Sequence, residues 1–384
     1  MKILMLFVDM LRPNRFNLYN KSIKKNILDH FFYNFGGNVY TNCFSPAPDT
    51  PRSMACFYSG LLPSQNGCDS RIKWPTYFLE TKESIFDEFI ENNYELTFFS
   101  NPNERKLGLF PENISKMNNH NHNFDLKGYL KNIKLKKNHL VFISIPDYHW
   151  ALQDYGYTSK AEQHALIQTK KSIDIIFNSL NKDDFDHIFI FSDHGFKFSK
   201  QRKKEEWYHF INRDRSNIFL IHRNKDEQEL KYNNKLCSIQ DLKDTIRDIF
   251  GKKNNFSLLN NKERKYIVIE DHFSISPPTV NQNVDIWGII FKDKYYVRSL
   301  EKAFILDYNS NIISNEINQD FDEILKKSSQ FSKYYDEYQK VFLYKKLFAT
   351  SKLKQNKFMN GQNRKILSNL EIKFYFLIDF FKSF

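Results

Sequence analysis

The chain has 384 residues, 41% of them hydrophobic and 16% aromatic, with 57 Lys and Arg against 45 Asp and Glu and a formal charge of +12. That length and apolar content fit one main domain with a smaller appendage, while the four cysteines (Cys43, Cys56, Cys68, Cys237) form no CxxC pair, which argues against a disulfide scaffold and for reduced, cytoplasmic thiols. The positive charge is spread along the chain with no nucleic-acid motif beside it, which leaves a lysine-rich solvated surface, an anionic substrate or an acidic membrane surface and sets nucleic acid aside as a partner.

The opening segment "KILMLFVD" (2–9) is too short an apolar run for a signal peptide, has no small-residue cleavage site after it, and reads as a buried strand ending in Asp9. Helical periodicity follows in "KSIKKNILDHFFYNF" and again in "ESIFDEFIENN". Then come a strand, "ELTFFSN" (95–101), a polar loop, "NNHNHN" (118–123), with metal binding as its lesser reading, and a second buried strand, "HLVFISIPD" (139–147). The helix "KAEQHALIQTKKSIDIIFNSL" separates that strand from "HIFIFSDHG" (187–195), and "NIFLIHR" (217–223) precedes the helix "SIQDLKDTIRDIF". Strand alternating with helix predicts an α/β core over 1–255, a mostly parallel sheet sandwiched by helices. Three extended segments, "KYIVIEDHFSI", "VDIWGIIFKDKYYVRSL" and "KAFILDYNS", predict a small antiparallel sheet over 256–312. Residues 313–384 are helical in period, basic and aromatic, ending in "LEIKFYFLIDFFKSF"; they suit a docking helix or a peripheral contact with a membrane. No window reaches the roughly 20 apolar residues that a span requires.

Three strands end in side chains that bind metals: Asp9, then Asp147 with His149 beyond it, then Asp193 and His194. Ligands collect at the carboxyl ends of such sheets. A buried carboxylate there needs a cation or several donors, and "SDHG" places an oxygen and an imidazole ligand side by side, with the glycine allowing a tight turn. In "PAPDTPRSMACFYSG" the Thr-Pro step predicts Thr50 as a helix N-cap, with Pro51 starting the helix and Gly60 stopping it. A hydroxyl at that end faces free backbone N–H groups where a phosphate would bind, and beside a metal it becomes an attacking alkoxide.

These residues together resemble the alkaline phosphatase and sulfatase superfamily, in the family's order and over Asp9 to about Tyr295. "FVDMLRPNRF" resembles its first metal motif, carried by Asp9; "NCFSPAPDTPRSMACFYSGLLPSQNG" its nucleophile segment, where counting back ten from Gly60 reaches Thr50; "FSDHG" its second metal motif, carried by Asp193 and His194; and "VDIWGIIFKDKYYV" its C-terminal hairpin. The resemblance implies an α/β fold of alkaline phosphatase type and a divalent metal, one or two ions of Zn, Mn, Mg or Ca, held by Asp9, Thr50, Asp193 and His194. It further implies double displacement at phosphorus through a phospho-threonine. Asp147, His149 and His209 are candidates for a second metal or for the substrate phosphate, with His272 the other choice for the later histidine; His149 is also a candidate acid, and Lys197 and Arg202 candidate substrate contacts.

Two departures bear on chemistry. Sulfatases carry Cys or Ser, converted to formylglycine, with Pro two and Arg four residues on; here Thr50 stands at that place, Pro51 follows at once and Met54 is fourth. Threonine is what the phosphodiesterases, phosphonate hydrolases and phosphoethanolamine or phosphoglycerol transferases of the superfamily carry. The family's usual second Asp is replaced by Met10. The expectation is therefore a metal-dependent phosphoesterase or phosphotransferase acting on a small-molecule, glycan or lipid phosphate ester, cytoplasmic or peripheral at the inner membrane face. A sulfatase or a metal-binding pseudoenzyme is the alternative.

Overall fold

The computed structural model describes residues 1–68, 83–100, 120–122, 125–196, 211, 213–271, 286–291, 293–299, 302–309, 311–329 and 331. Along it run the strands β1 (Lys2–Val8), β2 (Gly37–Tyr40), β3 (Cys43–Phe44), β4 (Glu95–Ser100), β5 (His120–His122), β6 (His139–Ile145), β7 (His187–Phe191), β8 (Leu220–Asn224), β9 (Leu230–Asn233) and β10 (Cys237–Ser238). The helices among them are α1 (Ile27–Phe35), α2 (Thr50–Ser59), α3 (Pro63–Asn66), α4 (Ile85–Glu91), α5 (Leu126–Lys131), α6 (Asp147–Tyr155), α7 (Ser159–Ser179) and α8 (Asp241–Ile249), with one further helical turn at Arg213–Ser216.

Eight strands form one sheet in the order β5-β4-β6-β1-β7-β8-β2-β9. Pairing is parallel from β5 through β7 and antiparallel on both sides of β8. The central strand β1 shows why the sheet is covered on both faces. Its even positions Leu4, Leu6 and Val8 pack with Ile143, Ile190 and, from α1 and α7, Phe32 and Ile173. The odd positions Ile3, Met5 and Phe7 pack with Phe142, Phe191 and, from α2, α4 and α8, Phe57, Phe86 and Leu242. A side-chain period of two thus feeds two separate cores, and each buried side chain of this size contributes roughly 1.5–3 kcal/mol.

Several expectations change here. The stretch at 118–123 supplies the edge strand β5 rather than a loop throughout. The 217–223 run starts its strand only at Leu220 and turns antiparallel. β2, β9 and the two-residue pair β3/β10 are too short to stand out as apolar runs. The second sheet has five antiparallel strands, not three: β11 (Ile267–Asp271), β12 (Ile286–Phe291), β13 (Lys294–Ser299), β14 (Ala303–Leu306) and β15 (Ile312–Ser314). Helix α9 (Gln319–Ser328) is tied to it by Asp322, which accepts from the Tyr296 hydroxyl at 2.6 Å and from Arg298 Nε at 3.2 Å. The chain from Met1 to Phe331 makes one compact unit; the basic tail beyond it lies outside the described residues. Among the described residues no helix is long and apolar enough to cross a membrane.

Away from the carboxyl ends of the strands, His222 is buried with its Nε2 3.1 Å from His187 Nδ1 and its ring stacked 4.4 Å from that of Phe189. Burial, then His187, pushes His222 down to about 3, and burial also pulls His187 below the usual value. Both rings stay neutral in the fold but take a proton near pH 6.5 once unfolded, so this stability is complete above about pH 6.5 and declines as the pH drops toward 3. The slope from His222 alone approaches about 1.4 kcal/mol per pH unit. Urea midpoints taken from pH 7.5 down to 4.5 are expected to fall, and to fall less steeply in His222→Phe.

Candidate active site

The carboxyl ends of β1 and β7 and the first turn of α2 meet at one place. Asp9 continues the parallel ladder one residue past β1, its N–H donating to Ile145 O at 3.1 Å. Met10 then takes φ 62, a left-handed conformation unusual for a side chain of that size. The turn aims the Met10 N–H at Asp193 Oδ1, 3.0 Å away, while its side chain joins the core under β1. Where the resembling family has a second Asp, this chain contributes a backbone donor.

Asp193 lies two residues beyond β7 and is wholly buried. Its backbone carbonyl accepts from Ser53 Oγ at 2.8 Å, which locks the turn to α2. Gly195 serves a different purpose from the tight turn expected of it: a Cβ there would lie 2.0 Å from the Asp214 carbonyl oxygen, so close backbone approach demands glycine. His194 Nδ1 is 2.6 Å from the Gly195 carbonyl, which can only accept. The proton therefore sits on Nδ1, and Nε2 is the nitrogen turned toward the site.

Thr50 stands at the first helical position of α2, with Asp49 as the N-cap and Pro51 second; this corrects the expected cap. Asp49 accepts from the Arg52 amide at 3.3 Å, its carbonyl accepts from Ser53 N at 2.9 Å, and Pro51 has no N–H. Of the first-turn amides that leaves at most that of Thr50 for an anion, so the helix end is not the open phosphate cradle the sequence suggested. Gly60 closes the helix in the left-handed region at φ 72, its N–H bonding Cys56 O at 2.9 Å.

Thr50 Oγ1 lies 3.2 Å from Asp9 Oδ1 and 3.1 Å from His194 Nε2. One ligand atom each from Asp9, Asp193 and His194 falls within 4.8 Å of the others, all three buried. Asp193 Oδ2 is buried and accepts no hydrogen bond among the described residues. Two carboxylates, an imidazole nitrogen and a hydroxyl converge, a set of ligand types that fits a divalent cation. Burial raises the Asp193 carboxyl, with neighbouring Asp9 adding to the effect and His194 opposing it. Burial pushes Asp9 up too, but pairing with His149, then His194 and Thr50, brings it below the usual range.

His149, half-buried on α6, holds the outer oxygen of Asp9 through Nδ1 at 2.7 Å. Asp147 does not join the cluster: it begins α6 instead of ending β6, and Ser172 Oγ on α7 donates to its carboxylate at 3.1 Å. The expected second-metal set therefore does not assemble from Asp147 and His149, and His209, His272, Lys197 and Arg202 lie outside the described residues.

The sequence reading passed over Asp49 and Arg52. Arg52, fully buried, donates through Nε to Asp49 Oδ2 at 2.6 Å, through Nη2 to the same oxygen, and through Nη2 to Asp271 Oδ1 at 2.7 Å. This triad ties the turn before Thr50 to β11 of the second sheet. The local signal was present, an Asp three residues before an Arg across a Thr-Pro helix start; its partner 219 residues away had none.

No family model matches the chain, and no curated protein matches it in sequence. Solved structures do match it in fold. A protein assigned as a sulfatase from Bacteroides thetaiotaomicron VPI-5482 superposes with a TM-score of 0.63 at 15% identity, over 94% of each chain. A 2-O GAG sulfatase gives 0.62 at 15% identity over 94% of this chain and 95% of its own, and the phosphonate monoester hydrolase of Agrobacterium radiobacter gives 0.58 at 13% identity over 89% and 95%. The chain thus has the fold of the sulfatases and phosphonate monoester hydrolases of the alkaline phosphatase superfamily.

Proposed function

We propose that the protein is a metal-dependent hydrolase of phosphate-type esters, phosphodiesters or phosphonate monoesters, with Thr50 as nucleophile. The observation that carries this reading is the Thr50 hydroxyl between Asp9 Oδ1 and His194 Nε2, at the edge of a buried acceptor cluster. Asp9, Asp193 and His194, with Thr50, would hold one divalent ion of Zn, Mn, Mg or Ca. When bound, that ion supplies Lewis-acid stabilisation of charge on the transferred group and lowers the pKa of the Thr50 hydroxyl. Asp9 and His194 orient Oγ1 toward an incoming phosphorus, and Asp9 is held in turn by His149. His149, whose Nε2 meets the Gln153 side-chain amide at 3.1 Å on the side of the ring away from Asp9, is the candidate to protonate the leaving oxygen. Attack by Oγ1, whose proton passes to Asp9 Oδ1, forms a phospho-threonine as the bond to the first alcohol breaks and that alcohol leaves protonated; water, or an acceptor hydroxyl, then gives up a proton, takes the group and restores the Thr50 hydroxyl.

A sulfate ester reading rests on the sulfatase neighbours. Against it stands Thr50, whose secondary alcohol cannot be oxidised to the aldehyde that sulfatases use. The basic composition favours an anionic substrate, of which a glycan or lipid phosphate ester met at the cytoplasmic face is one form. The test is a reporter panel of phosphodiester, phosphonate monoester, phosphomonoester and sulfate ester, given to metal-loaded protein with and without chelator, followed by acid quench and peptide mapping. Chelator-sensitive turnover of the phosphorus diester or phosphonate, with the phosphoryl group trapped on the Thr50 peptide, is expected. Turnover confined to the sulfate ester, or label on another residue, would overturn the assignment.

A further inference from the structure

Cys43 and Cys237 are 194 positions apart in sequence yet are direct partners in the parallel pair β3/β10. The pairing is held on both flanks: Cys237 N donates to Asn42 O and Ile239 N to Phe44 O, each at 3.0 Å. Direct partners on neighbouring parallel strands sit about 4.7–4.9 Å apart with side chains on the same face, inside the roughly 4.4–6.8 Å Cα window of a disulfide. The packing agrees, since both sulfurs join the core under α2 whereas the next residue, Phe44, joins the core of the second sheet. The Cys237 thiol lies 3.8 Å from Asn42 O, against the backbone that leads into Cys43.

We propose that Cys43 and Cys237 are a modification site, a thiol pair that closes to a reversible disulfide across β3/β10 when the protein meets a small disulfide oxidant. The step balances as two exchanges. One cysteine thiolate attacks the oxidant and expels its first thiolate; the second cysteine attacks the mixed disulfide and expels the other. Two protein thiols are oxidised and one small disulfide is reduced to two thiols. Both cysteines are at most 1% exposed, and burial, then the neighbouring Cys237, raises the Cys43 thiol well above its usual value. Closure in the native protein is therefore slow and follows local opening of the short pair. The bond would clamp the segment that runs from Cys43 through Ser45 to Thr50 onto β10 and the start of α8. Within that segment Ser45 Oγ already bonds Ser53 Oγ at 2.6 Å. The other two cysteines serve as an internal control, because Cys68 Sγ faces Pro51 O at 3.8 Å and Cys56 Sγ faces Asn66 Nδ2 at 3.8 Å.

The full chain, incubated at pH 8.5 with oxidised glutathione and then blocked with an alkylating agent, would be digested without reduction and mapped by mass spectrometry. A Cys43–Cys237 linked peptide is expected, together with a higher urea midpoint that returns to its starting value after dithiothreitol. Cys43→Ala and Cys237→Ser are each expected to lose both the link and the shift. Should either variant fail to fold, the wild-type map still decides. Free or singly glutathionylated Cys43 and Cys237 after prolonged oxidation, or a Cys56–Cys68 link alone, would overturn the proposal.

Discussion

Thr50→Ala is expected to lower kcat on the best phosphorus ester by about 10³-fold or more, since the attacking oxygen is removed while the rest of the site remains. That corresponds to at least ~4 kcal/mol of transition-state stabilisation. Alanine keeps the helix start, because Asp49 is the cap and Pro51 follows unchanged. Asp9, Asp193 and His194 keep their places, so calorimetric titration of Mn²⁺ is expected to show unchanged stoichiometry with weaker affinity. Thr50→Ser retains an oxygen and is expected to keep a measurable fraction of turnover and of the trapped phosphoryl adduct. Wild-type turnover in Thr50→Ala would mean that water attacks directly and that Thr50 is only a ligand or a spacer.

Arg52→Ala is expected to destabilise the fold by about 3–5 kcal/mol, the range for breaking a buried ion pair from one side. Two carboxylates, Asp49 and Asp271, would be left buried without their cation, and Asp271 Oδ2 already lacks a hydrogen-bond partner among the described residues. Burial acts to lower the Arg52 pKa, but the two acids outweigh it and raise it, so the guanidinium stays charged. Arg52→Lys is expected to recover little, because a single ammonium cannot reproduce contacts from both Nε and Nη2. Urea denaturation measures the loss. Asp271→Asn combined with Arg52→Ala should cost less than the sum of the single changes, because both remove the same contact. A fully additive double variant would show that the triad is not one coupled unit.

Much of the core was legible because both signals are local. Runs such as "KILMLFVD" and "HIFIFSDHG" are apolar at every position only when both faces of a strand are covered, and their termination in Asp9, Asp193 and His194 marked the crevice. The failures also have local causes. The Thr-Pro step points to Thr50 as the cap because Pro prefers the first helical turn, but Asp49 supplies a better acceptor for the Arg52 amide and takes the cap one residue earlier. "HLVFISIPD" points to Asp147 as a strand end because it is apolar up to Pro146, yet a helix begins there and turns the carboxylate to Ser172.

By itself the sequence determined which residue types stand at the strand ends, and so the acceptor-rich chemistry available to the site, because hydrophobic period and strand termination are properties of neighbouring residues. Only the tertiary structure decided which of those groups meet. It brought Thr50 within hydrogen-bond distance of Asp9 and His194, turned Asp147 at the start of α6 to Ser172 of α7, paired Cys43 with Cys237, and closed Arg52 onto Asp271 from the second sheet. Contacts across 25 to 219 positions depend on sheet order and register, which no local spacing encodes.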